Sequence, residues 1–317
     1  MTALKPGLIP CALVVGDTIP EAMYKAWKTC AEMGIRVANV KDAGNAPPAY
    51  DMSLWVVVDE PFKEPRIFTP GFIGDVIDME SYRLNVVFGI WDEFVGHGWD
   101  YTYHYRLEKQ IEPILARILD TWLKKGRITS RDFQFVTWIW EIDTVIDDPP
   151  CLQIVHCRLL PTEEENKYLL NLTIVFRSRD LGNAFWMNAY ALTDLQRHLA
   201  ARISKMLGEY GIEVGVGRYS DFSISNHLYG QPGDKHNLQH TLKLLQAHPW
   251  TRFAKISSVI MPNEVLKATR HLLAAQLEYS RMMKAQGKEI KRGTPKWLLE
   301  KAGLDWRTHE YPKEWDL

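Results

Sequence analysis

The chain has 317 residues, of which 46% are hydrophobic and 24% charged, and its formal net charge is −1. This balance is typical of a globular protein with a sizeable core, and it gives no excess of basic residues that would predict a nucleic-acid partner. We expect no membrane partner, because no run of about 20 apolar residues occurs, and we find no signal-peptide pattern. The four cysteines form no CxxC pair, which indicates reduced thiols in a cytoplasmic protein.

The N-terminal third mixes helices with a strand. Residues 20–34 begin with a proline and end with a glycine, as helices commonly do, and residues 52–61 read as a buried strand that stops at a proline. ESYRLNVVFG (80–89) and RLEKQIEPILARILDTWLKKG (106–126) predict two further helices, the second with apolar residues along one face.

The middle of the chain is rich in predicted strands. DFQFVTWIWEI (132–142), CLQIVHCRLL (151–160) and KYLLNLTIVFRS (167–178) are strand-like, and the polar turn PTEEEN makes the last two a hairpin. Further elements follow in the order helix 184–211, strand 213–231, helix 237–246 and strand 253–261. Beyond Pro262 the sequence predicts a helical, charged appendage, so we divide the chain into 1–261 and 262–317.

Cys151 follows two prolines at the start of a predicted strand. If the hairpin turns around Glu164, residues whose numbers sum to 328 face each other, and Cys151 lies opposite Arg177. A neighbouring guanidinium favours the thiolate, which is the nucleophilic form. Two simpler interpretations remain open: a buried cysteine that only packs, and an arginine that caps a strand edge. Cys157, six residues further on, is too far along the strand to share a metal with Cys151, and we predict no metal site.

The order of motifs from about residue 130 to 231 resembles the thymidylate synthase family, which includes the pyrimidine nucleotide hydroxymethylases. The motifs are PPC, a short hairpin, RSxD, a helix with Tyr-Ala-Leu, and a strand that ends in His-Leu-Tyr. The resemblance implies an α+β thymidylate synthase-type fold, a mixed β-sheet packed by helices that dimerises through the sheet. It implies a cysteine that attacks C6 of a pyrimidine nucleotide, after which C5 takes a one-carbon unit from 5,10-methylene-tetrahydrofolate.

The resemblance also implies roles for individual residues. It makes Cys151 the nucleophile and places Asp180 near the pterin. A phosphate dianion needs several charge-assisted donors, and an asparagine amide offers the donor and acceptor that suit a uracil edge. The nucleotide-binding residues that it implies are Arg177 and Ser178 at the phosphate, Arg131 donated there by a partner subunit, His227 and Tyr229 at a sugar hydroxyl, and Asn188 at the base.

Some assignments have competitors in the sequence. Glu80 is the candidate for the family's catalytic glutamate, although glutamates on helix surfaces are common. Tyr101 and Tyr103 compete for the active-site tyrosine, and the five-residue distance to Arg106 favours Tyr101. Trp186 competes with Asn188 for the base-reading position, but its single donor cannot read both groups.

The chain also departs from the family pattern. Asp132 follows Arg131 where a second arginine is usual, Leu152 follows the nucleophile in place of histidine, and Phe176 precedes the RS motif in place of glutamine. The N-terminal phosphate-binding arginine is not evident, with Arg36 a weak substitute. The closing C-terminal segment with its Pro-His-Pro signature is not recognisable either.

We therefore expect a homodimeric enzyme that transfers a one-carbon group from reduced folate to C5 of a pyrimidine nucleoside 5′-monophosphate. Without the closing segment water should reach the site, which favours hydroxymethylation over the methylation of a thymidylate synthase proper. An alternative of another class is a nucleotide-binding module that has lost turnover. The retained Cys151, Arg177, Asp180, His227 and Tyr229 argue against it.

Overall fold

The computed structural model describes residues 7–38, 48–69, 75–229, 243, 245–290 and 293–316. The chain folds into two compact units. The first comprises Met1–Ile73 and Gln110–Ile260, and the second comprises Gly74–Lys109 and Met261–Leu317. Within the described ranges, no helix is both long and apolar enough to cross a lipid bilayer.

The first unit contains a mixed β-sheet. Its strands lie in the order β1-β3-β8-β7-β6-β5, with β2 paired to β3, and β4 and β9 form a separate two-stranded sheet. The pairs β1–β3 and β7–β8 are parallel and the other pairs are antiparallel. The strand bounds are β1 Cys11–Gly16, β2 Ile35–Val37, β3 Ala49–Val58, β4 Ile67–Phe68, β5 Gln134–Val136, β6 Leu152–Pro161, β7 Lys167–Asp180, β8 Glu213–Leu228 and β9 Ser258–Val259.

Two helices of the first unit cover one face of this sheet. The helix bounds are α1 Ile19–Met33, α2 Val76–Phe88, α3 Tyr103–Lys125, α4 Trp140–Asp143, α5 Phe185–Leu207, α6 Trp250–Ser257, α7 Asn263–Ala285 and α8 Lys296–Lys301. Helix α1 packs on β1 and β3, and α5 packs on β7 and β8. Trp27 ties the two layers together, because its indole N–H donates to the carbonyl of Leu181 at 2.7 Å. The α+β class and the mixed sheet packed by helices agree with the sequence-based prediction.

The opposite face of the sheet carries an apolar row that crosses five strands. Leu13, Trp55, Phe222, Val175 and Ile154 are direct neighbours in the strand register. Leu13 is 64% exposed and Trp55 44% exposed. Side chains of adjacent strands that face each other lie on the same side of a sheet. This row, the open-face row, is therefore a continuous apolar strip with solvent access.

The second unit is helical. Helix α2 begins at a capping box, in which Asp75 accepts the backbone N–H of Asp78 and the Asp78 side chain accepts the N–H of Asp75. Its hydrophobic cluster contains buried residues from α2, the turn after it, α7 and the C-terminal 3-10 helix, namely Leu84, Ile90, Trp91, Phe94, Leu273, Ala274, Leu277 and Trp315. Residues 262–317 thus contribute buried apolar side chains; that residues 1–261 form a catalytic domain of their own stays a prediction.

Two segments differ from the sequence-based expectation. The predicted strand 132–142 is a strand only over Gln134–Val136, and its Trp-rich end forms the short helix α4. The predicted strand 253–261 is mostly helix α6, followed by the two-residue strand β9. Most of the predicted helix 237–246 lies outside the described residues.

Candidate active site

Cys151 and Arg177 meet where the β6–β7 hairpin opens. The backbone N–H of Arg177 donates to the carbonyl of Cys151 at 2.9 Å, which confirms the predicted pairing of these two positions. The Arg177 guanidinium donates to the carbonyls of Pro149, at 2.6 Å, and Pro150, at 3.1 Å. Arg177 therefore fixes the Pro-Pro-Cys segment against the end of β7. The Cys151 side chain is half-buried.

A β-bulge after Leu152 changes the hairpin register by one residue. Leu152 lies opposite Phe176, whereas Ile154 lies opposite Val175 and all later pairs keep the shifted register. The turn itself is polar and exposed, and Asn166 in it has a φ of 60°, a left-handed conformation that asparagine tolerates. The sum of 328 predicted from the sequence holds at the site end of the hairpin and not beyond the bulge.

Strands β7 and β8 bring four further candidates together at the same end of the sheet. Ser178 lies opposite Ser225, and Asp180 lies opposite His227. The rings of His227 and Tyr229 pack edge to face with their centroids 4.7 Å apart. Because β7 and β8 are parallel, their C-terminal ends lie side by side at the same end of the sheet. The polar patch at this end combines hydroxyl, carboxyl and imidazole groups.

Asp180 organises the turn between β7 and α5. One carboxylate oxygen accepts the backbone N–H groups of Gly182 and Asn183, each at 2.9 Å, and the other accepts the Asn183 side-chain amide. Burial raises the pKa of the Asp180 carboxyl above its usual range, against the opposing effects of these hydrogen bonds and of the His227 charge.

Asn188 and Trp186 both lie in the first turns of α5. Asn188 is 6% exposed and Trp186 is 1% exposed. The structure places both residues one turn beyond the Asp180 loop. The role of base reader stays a prediction for Asn188.

Arg131 lies away from Cys151 within its own chain. It is exposed in the segment before β5, and its backbone carbonyl accepts a hydrogen bond from His156 Nε2 at 2.9 Å. His156 is five residues after Cys151, about 16 Å along an extended strand. Asp132, at the position of the missing second arginine, is ion-paired with Arg117, and hydrogen bonds from Ser130 and Arg117 lower its pKa.

Glu80 is the centre of a buried ion cluster in the second unit. Its side chain is fully buried, and its two oxygens accept from Arg83 Nε at 2.8 Å, Arg83 Nη2 at 2.7 Å and Arg270 Nε at 2.6 Å. Arg83 also donates to the carbonyl of Trp315 at 2.7 Å. These contacts give Glu80 a structural role within the unit; its catalytic role stays a prediction.

Tyr101 also belongs to the second unit. Its ring lies 5.9 Å from that of Tyr103, and the Arg106 guanidinium lies 5.8 Å from its centroid. The assignment of the active-site tyrosine stays a prediction.

Three residues near the sheet end had no role in the sequence analysis. Arg179 forms a buried ion pair with Asp221, and Asp51 on β3 lies opposite His227 and accepts from Ser225. The signal in the sequence is weak, because each is a single charged residue within a strand pattern. These residues come close together only because β3, β8 and β7 are adjacent in the sheet.

The four thiols differ sharply in their surroundings. Cys11 is exposed and Cys151 half-buried, whereas Cys30 and Cys157 are buried. Burial raises the pKa of Cys157 to about 12, and burial together with the charge of Asp51 raises that of Cys30 to about 12. The latter two are therefore packing residues, which leaves Cys151 as the accessible thiol beside the polar patch.

Comparison with known proteins points to one family. No protein-family model matches the chain. A protein of Methanosarcina mazei named "Putative thymidylate synthase" is 30% identical over 189 residues, which cover 58% of this chain and 75% of that protein. A Methanosarcina acetivorans protein of the same name gives the same identity and coverage, and one of Methanococcoides burtonii is 24% identical over 229 residues, 70% of this chain and 92% of that protein. Together with the Cys151–Arg177 pair, these similarities mean that the chain belongs to the thymidylate synthase family.

Proposed function

We propose that this protein transfers a one-carbon unit from 5,10-methylene-tetrahydrofolate to C5 of a pyrimidine nucleoside 5′-monophosphate. The observation that carries the proposal is the hydrogen-bonded pairing of Cys151 with Arg177 beside the Asp180–His227 pair. The proposed nucleophile, the guanidinium beside it and the proposed sugar-binding groups therefore lie at the same end of these strands. The names of the relatives support the same chemistry at the level of the family.

The thiolate of Cys151 would add to C6 of the base. A bond forms between sulfur and C6, and the electron pair of the C5–C6 double bond moves through C4 to O4. C5 then carries the nucleophilic electron pair and takes up the one-carbon unit. Loss of the C5 proton then expels tetrahydrofolate and leaves an exocyclic methylene on C5. Hydroxide from water in hydroxymethylation, or hydride from the tetrahydrofolate in methylation, adds to this methylene while the Cys151 thiolate leaves from C6, which restores the C5–C6 double bond and regenerates the enzyme.

Arg177 and Ser178 are the proposed phosphate ligands. Two of the five N–H groups of Arg177 donate to the Pro149 and Pro150 carbonyls, so the guanidinium is held in place while other donors remain for phosphate oxygens. His227 and Tyr229 would bind a sugar hydroxyl, and Asn188 the base edge. Each of these roles is carried over from the family resemblance.

The reduced folate would lie near Asp180. This carboxyl fits the place because it is half-buried at the sheet end, with its orientation fixed by Gly182 and Asn183. Bound there, the folate supplies the one-carbon unit. Asp180, with its raised pKa, would hold or release a proton toward a pterin nitrogen.

We also propose that two copies pair through the open-face row. The strip is apolar across five strands, and a partner would remove the exposed side chains of Leu13 and Trp55 from water. The next row on that face includes His156, whose Nε2 donates to the carbonyl of Arg131. Arg131 is thus at the margin of the proposed interface, where it could reach the phosphate site of the other subunit.

Hydroxymethylation is our proposed reaction, and methylation to thymidylate is the second candidate, favoured by the names of the relatives. Residues 262–317 form the helices α7 and α8 with buried core side chains, in place of a recognisable closing segment. Methylation oxidises one folate to dihydrofolate per product, whereas hydroxymethylation leaves tetrahydrofolate and takes an oxygen atom from water. Dihydrofolate yield and label from heavy-oxygen water separate the two reactions.

Release of tritium from C5-labelled nucleotides tests the one-carbon transfer. We expect release from at least one of dUMP, UMP, dCMP and CMP in the presence of methylene-tetrahydrofolate, and none from Cys151→Ser, because a serine alkoxide is much harder to form near pH 7. Cys11→Ser, which removes an exposed thiol, is the matched control and should retain activity. Turnover by Cys151→Ser, or no release from any nucleotide, would contradict the proposal.

A further inference from the structure

Three strands place a carboxylate, an imidazole and a second carboxylate side by side. Asp51 on β3 lies opposite His227 on β8, and His227 lies opposite Asp180 on β7. Directly opposed residues share one face of the sheet, and across the antiparallel pair β3–β8 their Cβ atoms are about 4.5–5.5 Å apart. All three side chains are half-buried, while the residues next to them in sequence, Met52, Asn226 and Arg179, are buried. The row therefore opens to solvent at the candidate site.

Asp51 is held by a residue of the neighbouring row. The Ser225 hydroxyl lies 2.9 Å and 3.0 Å from its two carboxylate oxygens and donates to them. An ionised carboxylate has about four acceptor positions, so one hydroxyl uses only part of its capacity. No cation among the described residues pairs with Asp51, and Arg36 nearby stacks on the Tyr50 ring at 4.3 Å. Asp51 is thus an oriented acceptor with room for a further donor.

The position of Asp51 matches that of a sugar. Ser225 lies opposite Ser178, a proposed phosphate ligand, and Asp51 is two strand spacings, about 9.5 Å, from the β7 strand that carries Ser178. A carboxylate repels phosphate, and the base edge is assigned to Asn188 on α5, which leaves the sugar hydroxyls for Asp51. It binds hydroxyl donors, as the acidic residue that holds a ribose hydroxyl does in dinucleotide-binding folds.

The geometry points to Asp51 as the residue that accepts the 2′-hydroxyl of a ribonucleotide, beside the hydroxyl bound by His227 and Tyr229. The substrate class is then a pyrimidine ribonucleoside 5′-monophosphate. This inference rests on the proposed function, because it takes the nucleotide site as given. It goes further by naming the sugar and the residue that selects it.

The first test changes only the ligand. Calorimetric titration of the full chain compares UMP, dUMP and 2′-fluoro-2′-deoxyuridine monophosphate, together with CMP and dCMP. The fluoro analogue resembles the ribonucleotide in shape but has no 2′-donor. Of UMP and CMP, the nucleotide with the higher affinity should bind at least tenfold more tightly than its own deoxy form. If that nucleotide is UMP, the fluoro analogue should bind like dUMP.

The second test changes the protein. Asp51→Ala should lower ribonucleotide affinity about tenfold and leave deoxynucleotide affinity within twofold, so that the preference disappears. Asp51→Asn keeps the shape and one acceptor oxygen and should give an intermediate preference, which covers the case in which the alanine variant does not fold. Ser225→Ala should also reduce the preference, since it frees the carboxylate.

The results separate failure of the role assigned to Asp51 from failure of the proposed function. Equal binding of ribo- and deoxyribonucleotides, tighter binding of the fluoro analogue than of dUMP, or equal losses for both sugars in Asp51→Ala would overturn the inference alone. If tritium is released only from deoxynucleotides, the proposed function stands and the inference fails. If none of the four nucleotides binds, both fail.

Discussion

The guanidinium of Arg179 and the carboxylate of Asp221 form an ion pair inside the first unit, with side-chain exposures of 1% and 0%. The guanidinium also lies between two aromatic rings, 4.7 Å from the centroid of Phe176 and 4.5 Å from that of Phe185. Both charged groups lose their hydration on burial. Burial raises the pKa of Asp221, although the positive charge of Arg179 acts to lower it. Ser178 and Asp180, which flank Arg179 in the sequence, belong to the candidate site.

We predict that breaking this pair destabilises the protein strongly. Arg179→Met or Asp221→Leu alone should lower the free energy of unfolding by about 3–5 kcal/mol, because each leaves one uncompensated buried charge. The double variant should recover most of the loss, since two apolar side chains replace the pair. Urea unfolding followed by circular dichroism measures all three.

The exposed pair Arg117–Asp132 is the control for that series. Its side chains are 59% and 44% exposed, so Arg117→Ala should cost less than about 1 kcal/mol. Comparable losses at the two pairs, or a double variant no better than the singles, would refute the assignment of a buried ion pair.

The raised pKa of Asp180 predicts how stability depends on pH. Between the ordinary value of 3.8 and the higher folded pKa, the folded state keeps a proton that the unfolded state has lost. The unfolded state then binds fewer protons, so the free energy of unfolding falls as pH rises through this window. Asp180→Asn should remove this fall, which urea unfolding at a series of pH values from 4 to 7 would detect.

Asp305 gives the opposite sign and serves as the comparison. Its pKa is lowered by hydrogen bonds from the Arg307 backbone and the Thr308 side chain. Its contribution is present above pH 3.8 and lost as the pH falls through the lower folded pKa, so Asp305→Asn should leave the window above pH 4 unchanged. If both variants show the same profile between pH 4 and 7, desolvation of Asp180 is not the cause.

Thiol burial predicts the order of alkylation. Iodoacetamide should modify Cys11 and Cys151 in the folded protein, and Cys30 and Cys157 only after unfolding, because burial excludes the reagent and their pKa of about 12 suppresses the thiolate. Peptide mass spectrometry at successive times gives the order. Prior addition of a bound nucleotide should protect Cys151 and leave Cys11 unprotected; equal rates for Cys151 and Cys157 would argue against the site.

The open-face row predicts a dimer that a charge can disrupt. Trp55→Glu should convert the dimer to monomer in analytical ultracentrifugation, since an unpaired carboxylate in an apolar interface is strongly unfavourable. Leu123→Glu is the matched control, because Leu123 is 59% exposed on α3. A wild-type monomer, or dissociation caused equally by Leu123→Glu, would remove the support for this interface.

If Arg131 of one subunit completes the site of the other, hybrid dimers of two inactive variants should be active. Inactive Arg131→Ala and Cys151→Ser proteins, when mixed and allowed to exchange subunits, should regain part of the activity, because one of the two sites then has both residues. Lack of recovery after exchange has been verified would place Arg131 outside the site.

Local patterns in the sequence predicted the helix bounds and the hairpin better than the pairs across the sheet. Helix α1 carries its own signals, a Thr18 cap and a proline in the first turn, and the structure places it at Ile19–Met33. The Trp-rich segment misled the strand assignment because Trp140 and Ile142 are 68% and 47% exposed, so its apolar pattern does not report burial.

The pairs that complete the site depend on strand order. Asp51 and His227 are 176 residues apart, and Arg179 and Asp221 are 42 residues apart. They meet because β8 lies between β3 and β7, an arrangement that no local propensity determines. Cys151 and Arg177 could be paired from the sequence because a single short turn joins their strands.

The bulge after Leu152 gives the two ends of the hairpin different registers. Because the bulge and the Arg177 contacts set the register at Cys151, the exposed turn at residues 162–166, about 33 Å further along the strands, is free to accept added chain. A fluorescent label or an affinity tag inserted there would travel with the folded protein without displacing the reactive thiol. The hairpin tip thus offers an attachment point for measuring ligand binding and subunit exchange at single-molecule concentrations.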